Sequence, residues 1–173
     1  PVSVEQASEF RYRFGSYDIP NTIALFVSQS GETADLIASL KEAKRRNIAT
    51  IGIVNAVGST LARGVDHGGI YLHAGTEMSV ASTKAYSSMV TAMLMLGGHI
   101  AYKRGQNPSQ IRGLAKELLA LPDEIHHTLQ LKSQIDAIAP ELLRFHDWYY
   151  LGRNSLYPVA LEGALKVTEV AYI

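Results

Sequence analysis

Two short, uninterrupted apolar runs separated by one amphipathic stretch constrain this chain more than any other feature. Thr22-Ile23-Ala24-Leu25-Phe26-Val27 is partly β-branched and ends at a Ser/Gly cluster, and Ala49-Thr50-Ile51-Gly52-Ile53-Val54 repeats the pattern up to Asn55. Runs of this length, without polar alternation, read as buried strands. Between them Ala34, Leu36, Ile37, Leu40 and Ala43 recur at helical spacing. Lys41, Lys44, Arg45 and Arg46 gather toward the end of that stretch, where cations suit the negative pole of a helix. Gly58-Ser59 then reads as a turn and cap for a short helix to about Gly64, and Gly69-Ile70-Tyr71-Leu72-His73 as a third strand. Strands alternating with helices, each written as a continuous apolar run, predict an α/β fold whose parallel sheet is covered on both faces. Val2-Ser3-Val4-Glu5-Gln6 is expected to add one short, moderately polar strand.

After Gly75 the pattern turns helical, first from Ser82 to about Lys103, then in pieces between Pro108 and Phe145 broken at Pro122 and Pro140. Trp148-Tyr149-Tyr150-Leu151 returns as a predicted strand into Gly152-Arg153-Asn154, followed by a helix from Val159 to Ile173. A second α/β unit is thus expected to open there and to stop early. The start is equally abrupt, so the pattern predicts that both ends are cuts in a longer protein or disordered regions.

Composition narrows the function classes. With 16 basic and 16 acidic side chains the formal net charge is zero, which gives no bulk attraction to nucleic acid or an anionic membrane. Any anion must be held locally. The absence of cysteine removes disulfides, thiolate metal sites and cysteine nucleophiles together, and fits a reducing, cytoplasmic setting. The first residues carry no signal-peptide pattern, and the most apolar stretch, from Met89 to Ala101, falls short of the roughly 20 residues of a membrane span. No two of the six histidines stand at the i, i+4 helical spacing that, with a carboxylate, marks a zinc site, so no metal is expected. Trp148, Tyr149 and Tyr150 lack interleaved basic residues and read as packing rather than as a base-stacking platform.

The chemistry concentrates in two places. Ser28-Gln29-Ser30-Gly31-Glu32-Thr33 lies between a predicted strand and a predicted helix, where the free N–H groups of a first helical turn attract an anion. Ser28, Ser30 and Thr33 add hydroxyls, Gln29 an amide, and Gly31 lets the backbone approach a phosphate. No P-loop lysine spacing is present. Taken alone, the loop is better explained by Ser28 or Ser30 capping the helix, with Glu32 favouring its first turn. Lys166 and Glu169, three apart on one predicted helix, share a face: the ammonium can keep the carboxylate ionised and meet a developing oxyanion. Taken alone, this pair reads as an ordinary surface salt bridge.

Context decides between these readings. SQSGET at 28–33, Ala74-Gly75-Thr76-Glu77-Met78-Ser79-Val80-Ala81-Ser82-Thr83-Lys84-Ala85, and Leu161-Glu162-Gly163-Ala164-Leu165-Lys166-Val167-Thr168-Glu169 occur in this order, preceded by Ala7-Ser8-Glu9-Phe10-Arg11-Tyr12-Arg13. Together they resemble the isomerase half of the glutamine:fructose-6-phosphate aminotransferase family, over almost the whole chain. SQSGET alone marks the wider sugar isomerase (SIS) fold. The other two runs narrow the resemblance to the aminotransferases.

The resemblance implies a three-layer αβα SIS fold with a parallel, flavodoxin-like sheet. It also implies that residues 1–144 are most of a first SIS domain and that 145–173 open a second. The activity implied is conversion of fructose 6-phosphate and glutamine-derived ammonia to glucosamine 6-phosphate, without metal or organic cofactor, in a cytoplasmic homodimer with an upstream glutaminase domain. Position by position, Ser28, Gln29, Ser30 and Thr33 correspond to phosphate contacts. Val80 and Ser82 correspond to positions lining the sugar, with Thr83 and Lys84 beside them. Glu169 corresponds to the carboxylate that moves the proton between C1 and C2, and Lys166 to a lysine that assists at the open-chain sugar. The family's first strand, its Cys-Gly-Thr-Ser loop, a histidine loop and a C-terminal lysine would lie outside this chain, so the isolated chain is expected to be inactive. Two alternatives stay open: a non-catalytic SIS module that senses phosphorylated sugars, and a related SIS deglycase or deaminase.

Overall fold

The computed structural model describes residues 2–13 and 21–172. Ile173, the expected end of the last helix, lies outside them. The elements in chain order are α1 (Ala7–Phe10), β1 (Ile23–Ser28), α2 (Ala34–Arg45), β2 (Ala49–Val54), α3 (Thr60–Gly64), β3 (Gly69–Tyr71), α4 (Lys84–Lys103), α5 (Pro108–Leu129), α6 (Lys132–Leu142) and α7 (Leu156–Ala171). The chain divides into two compact units, one of Pro1–Glu77 with Thr83–Leu94, the other of Met78–Ser82 with Met95–Ile173.

The first unit carries a parallel sheet in the order β1-β2-β3. Phe26 pairs with Gly52 and Ser28 with Val54, so the side chains of Ala24, Phe26, Val54 and their neighbours share one face. That face meets Leu40 and Ala43 of α2, Ile48, and Leu61 of α3 to form the core, with Phe10, Leu36 and Val65 packed at its margin. Each fully buried leucine here contributes about 2 kcal/mol. α2 buries the expected apolar stripe, and Ser59 caps α3 by accepting from the N–H of Ala62. Ser39, buried on α2, donates to the carbonyl of Ala7 at 2.6 Å and so attaches α1. The opposite face of β1 is open: Ile23 is 54% and Leu25 39% exposed, so β1 is not the fully buried strand its composition predicts.

Other expectations fail for identifiable reasons. Residues 2–6 form no strand, nor do residues 148–151. Residues 148–151 are apolar and residues 2–6 alternate apolar with polar at their start, but a strand exists only where a neighbour completes its ladder hydrogen bonds, and no described segment pairs with either. The third strand stops at Tyr71, because His73 turns into the left-handed region at φ +52°. The second unit is helical. Neither Pro122 nor Pro140 breaks its helix; both lie inside, in α5 and α6, and the break comes at residues 130–131. An interior proline forfeits its own backbone hydrogen bond and crowds the preceding turn, yet the remaining bonds of the 22-residue α5 and the 11-residue α6 carry each helix past it. Among the described residues, no helix is long and apolar enough to cross a membrane.

Candidate functional site

The strand-to-helix loop at residues 28–33 belongs to the first unit and is built from within. The Ser28 hydroxyl, buried at the end of β1, accepts from the N–H of Gly31 at 2.9 Å, and the Ser30 hydroxyl accepts from the N–H of Glu32 at 3.2 Å. Thr33 stands at the N-cap of α2 but gives no side-chain cap. Helix capping by these hydroxyls, the ordinary explanation of a serine-rich junction, is therefore not what they do. They shape the loop instead, and among the described residues no side-chain acceptor caps the first turn of α2.

A second loop supports the first. The N–H groups of Asn55 and Ala56 donate to the carbonyls of Ser28 (3.3 Å) and Gln29 (3.0 Å), and the N–H of Leu61 donates to that of Gly31 (3.0 Å). Glu32 turns its carboxylate away from α2 and accepts from the Thr60 N–H at 2.8 Å, which holds its pKa below the ordinary carboxylate value. It caps the start of α3 rather than repelling an anion at α2. Gly31 takes φ +66°, and a Cβ there would lie 2.1 Å from the Ser59 hydroxyl oxygen. The loop thus requires glycine on conformational and steric grounds alike.

The segment after β3 leads to the other predicted sugar positions. Glu77 accepts from the N–H groups of Thr83 at 3.1 Å and Ala85 at 3.2 Å, and from the Thr83 hydroxyl at 3.3 Å. Its carboxyl is held below the ordinary range, first by the Thr83 N–H. This carboxylate fixes the start of α4, so Thr83 and Lys84 occupy its opening turn. Val80 and Ser82 lie in the stretch assigned to the second unit: Val80 is 87% exposed, and the Ser82 Oγ is buried without a partner among the described residues.

Lys166 and Glu169 are brought together in the second unit. On α7 the Lys166 ammonium donates to Glu169 Oε2 at 2.7 Å and sits 3.3 Å from Glu162 Oε1, with all three side chains about a quarter to a third exposed. The Lys166 pKa is raised, first by the bond to Glu169, so this lysine is a cation and donor rather than a free amine base. Glu162 escaped the sequence reading, although its i, i+4 spacing to Lys166 was a usable signal. Glu32, Glu77 and Asn55 escaped it as well, because their partners are distant in sequence. Among the described residues, no cluster of three or more His, Asp or Glu is placed to hold a metal ion.

Comparison with known proteins gives one pattern. Residues 1–97 match the SIS domain. The chain is 42% identical to a glutamine–fructose-6-phosphate aminotransferase [isomerizing] of Bacteroides thetaiotaomicron over 174 aligned residues, and 39% identical to one of Pyrococcus horikoshii over 173. All of this chain is aligned in both cases, but it spans only 28% of either relative. In structure it matches the C-terminal domain of glucosamine-fructose-6-phosphate aminotransferase from Francisella tularensis with a TM-score of 0.95 at 36% identity, covering 100% of this chain and 48% of that one. The parallel α/β sheet, the built loop at its carboxyl end and a match running through the SQSGET motif together place the chain in the SIS domain family.

Proposed function

We propose that this chain is the sugar-phosphate-binding isomerase core of an aminotransferase that converts fructose 6-phosphate and glutamine-derived ammonia to glucosamine 6-phosphate. The observation that carries the reading is the pairing of Lys166 with Glu169 at 2.7 Å, partly withdrawn from solvent on α7. A module that only senses sugar phosphates needs an anion loop but no such paired lysine and carboxylate. The relatives' names supply the substrate and the ammonia donor.

In this reading Ser28, Gln29, Ser30 and Thr33 hold the phosphate, aided by the N–H groups at the start of α2. Val80, Ser82, Thr83 and Lys84 line the sugar, and the Ser82 hydroxyl, without a partner among the described residues, supports that role, since a buried hydroxyl is stable only when something pairs with it. Ammonia adds to the C2 carbonyl of the open-chain ketose and water leaves, giving the C2 imine. Glu169 removes a proton from C1, the electron pair moves to the imine nitrogen through an enolamine, and the proton returns to C2 as C1 becomes the aldehyde. Lys166 donates to oxygen where negative charge develops. No step needs a metal or organic cofactor.

The same reading assigns residues 1–144 to a first SIS domain and 145–173 to the opening of a second, within a cytoplasmic homodimer that carries a glutaminase domain upstream. Titration of the chain with fructose 6-phosphate, glucosamine 6-phosphate and inorganic phosphate tests the site, and the absence of binding at millimolar sugar phosphate would remove it. In the full-length enzyme Glu169→Gln is expected to stop isomerisation while fructose 6-phosphate still binds. Unchanged turnover would take Glu169 out of the mechanism.

A further inference from the structure

Asn55, the residue that follows β2, faces two ways. Its backbone N–H donates to the carbonyl of Ser28 at 3.3 Å, at the root of the 28–33 loop. Its side chain engages the segment after β3: Oδ1 accepts from the Ala74 N–H at 2.9 Å, and Nδ2 donates to the Gly75 carbonyl at 2.7 Å. The partners fix the amide's orientation, because a backbone N–H requires the oxygen and a carbonyl requires the nitrogen. That segment has much to hold. His73 and Gly75 take φ +52° and +73°, a turn that residues other than glycine adopt only under constraint. A Cβ placed on Gly75 would lie 4.0 Å from the Lys84 ammonium, so the end of the Lys84 side chain rests beside this turn. Two residues further on, Glu77 begins the capping of α4.

We infer that Asn55 is a positioning residue that fixes the 74–77 turn to the end of β2, beside the root of the phosphate loop, and so sets Thr83 and Lys84, at the start of α4, against a fixed phosphate anchor. The inference rests on the sugar-phosphate reading above. Its chemistry is specific to an amide. Aspartate at this position keeps the acceptor for Ala74 and loses the donor to Gly75, whereas alanine loses both. The phosphate loop keeps its own internal bonds in either case, since Gly31 is held by Ser28 and by Leu61.

The test uses the 173-residue chain and its Asn55→Asp and Asn55→Ala variants. Amide hydrogen exchange should show Ala74 protected in the unmodified chain and in Asn55→Asp, and unprotected in Asn55→Ala, with Gly31 protected in all three. Asn55→Ala should bind fructose 6-phosphate roughly tenfold more weakly, the scale of two lost hydrogen bonds, and inorganic phosphate within about twofold of the unmodified chain. Asn55→Asp should fall between. Unchanged Ala74 exchange in Asn55→Ala overturns the inference, as does equal weakening of both ligands, which would make Asn55 a general structural residue. If the unmodified chain itself fails to prefer fructose 6-phosphate over inorganic phosphate, the sugar-phosphate reading fails first, and the exchange measurement still decides whether Asn55 holds the turn.

Discussion

Gly31→Ala separates two sources of strain in the loop that we place around the phosphate. An alanine at φ +66° pays for the left-handed backbone, about 1–2 kcal/mol. Its Cβ would also lie 2.1 Å from Ser59 Oγ, 2.6 Å from Ser59 Cβ and 3.0 Å from Val54 Cγ1. Ser59 and Val54 are only 6% and 2% exposed, so neither can swing aside freely, and overpacking of this kind costs about 1–3 kcal/mol. The expected loss is about 2–5 kcal/mol in all. Adding Ser59→Gly removes the two nearest atoms at a capping cost of a few tenths of a kcal/mol. The double variant should therefore recover the overpacking part and retain about 1–2 kcal/mol of backbone strain. Trp148, the one tryptophan, lies in the second unit, so its fluorescence does not report on this loop. Far-UV circular dichroism in urea, with exchange of the Leu61 amide that bonds to Gly31, is the appropriate assay. A single-variant loss below about 1 kcal/mol, or no recovery on adding Ser59→Gly, would refute the steric account.

Two further outcomes follow from hydrogen bonds in the first unit. Thr50 is fully buried; its hydroxyl donates to Asp66 Oδ2 at 2.8 Å and accepts from the Asp66 N–H at 2.9 Å. Thr50→Val should cost about 1–2 kcal/mol in urea unfolding. It should also raise the Asp66 carboxyl pKa, which the Thr50 hydroxyl is the first cause of lowering, and an unchanged Asp66 titration by NMR would count against this. The Glu77 pKa is depressed from 4.5, so its contribution to stability is present above the unfolded value and is lost as pH falls through the lower folded value. The amide shifts of Thr83 and Ala85 should titrate together with a midpoint below 4.5, and a midpoint at or above that value would show that Glu77 does not hold α4 in solution.

Whatever depends on neighbours along the chain was legible before folding. The β1-α2-β2-α3 series follows from the apolar run at 22–27, the helical stripe from Ala34 to Ala43, the second run at 49–54 and the Ser59 cap, because the period of apolar residues and the capping chemistry are local properties. The three-residue spacing that joins Lys166 to Glu169 is local too, and it survives in the structure at 2.7 Å. The tertiary structure decided what depends on partners distant in sequence. Residues 2–6 and 148–151 read as strands but find no ladder among the described residues, while Ile23 and Leu25 read as buried and are not, because exposure is set by what packs across a strand. Glu32 caps a helix start 28 residues away, and Asn55 grips a turn 19 and 20 residues away. Such bonds join residues that have no periodic relation to one another, so no pattern along the chain announces them. They turn a serine-rich junction into a rigid loop whose glycine cannot be replaced without moving its neighbours.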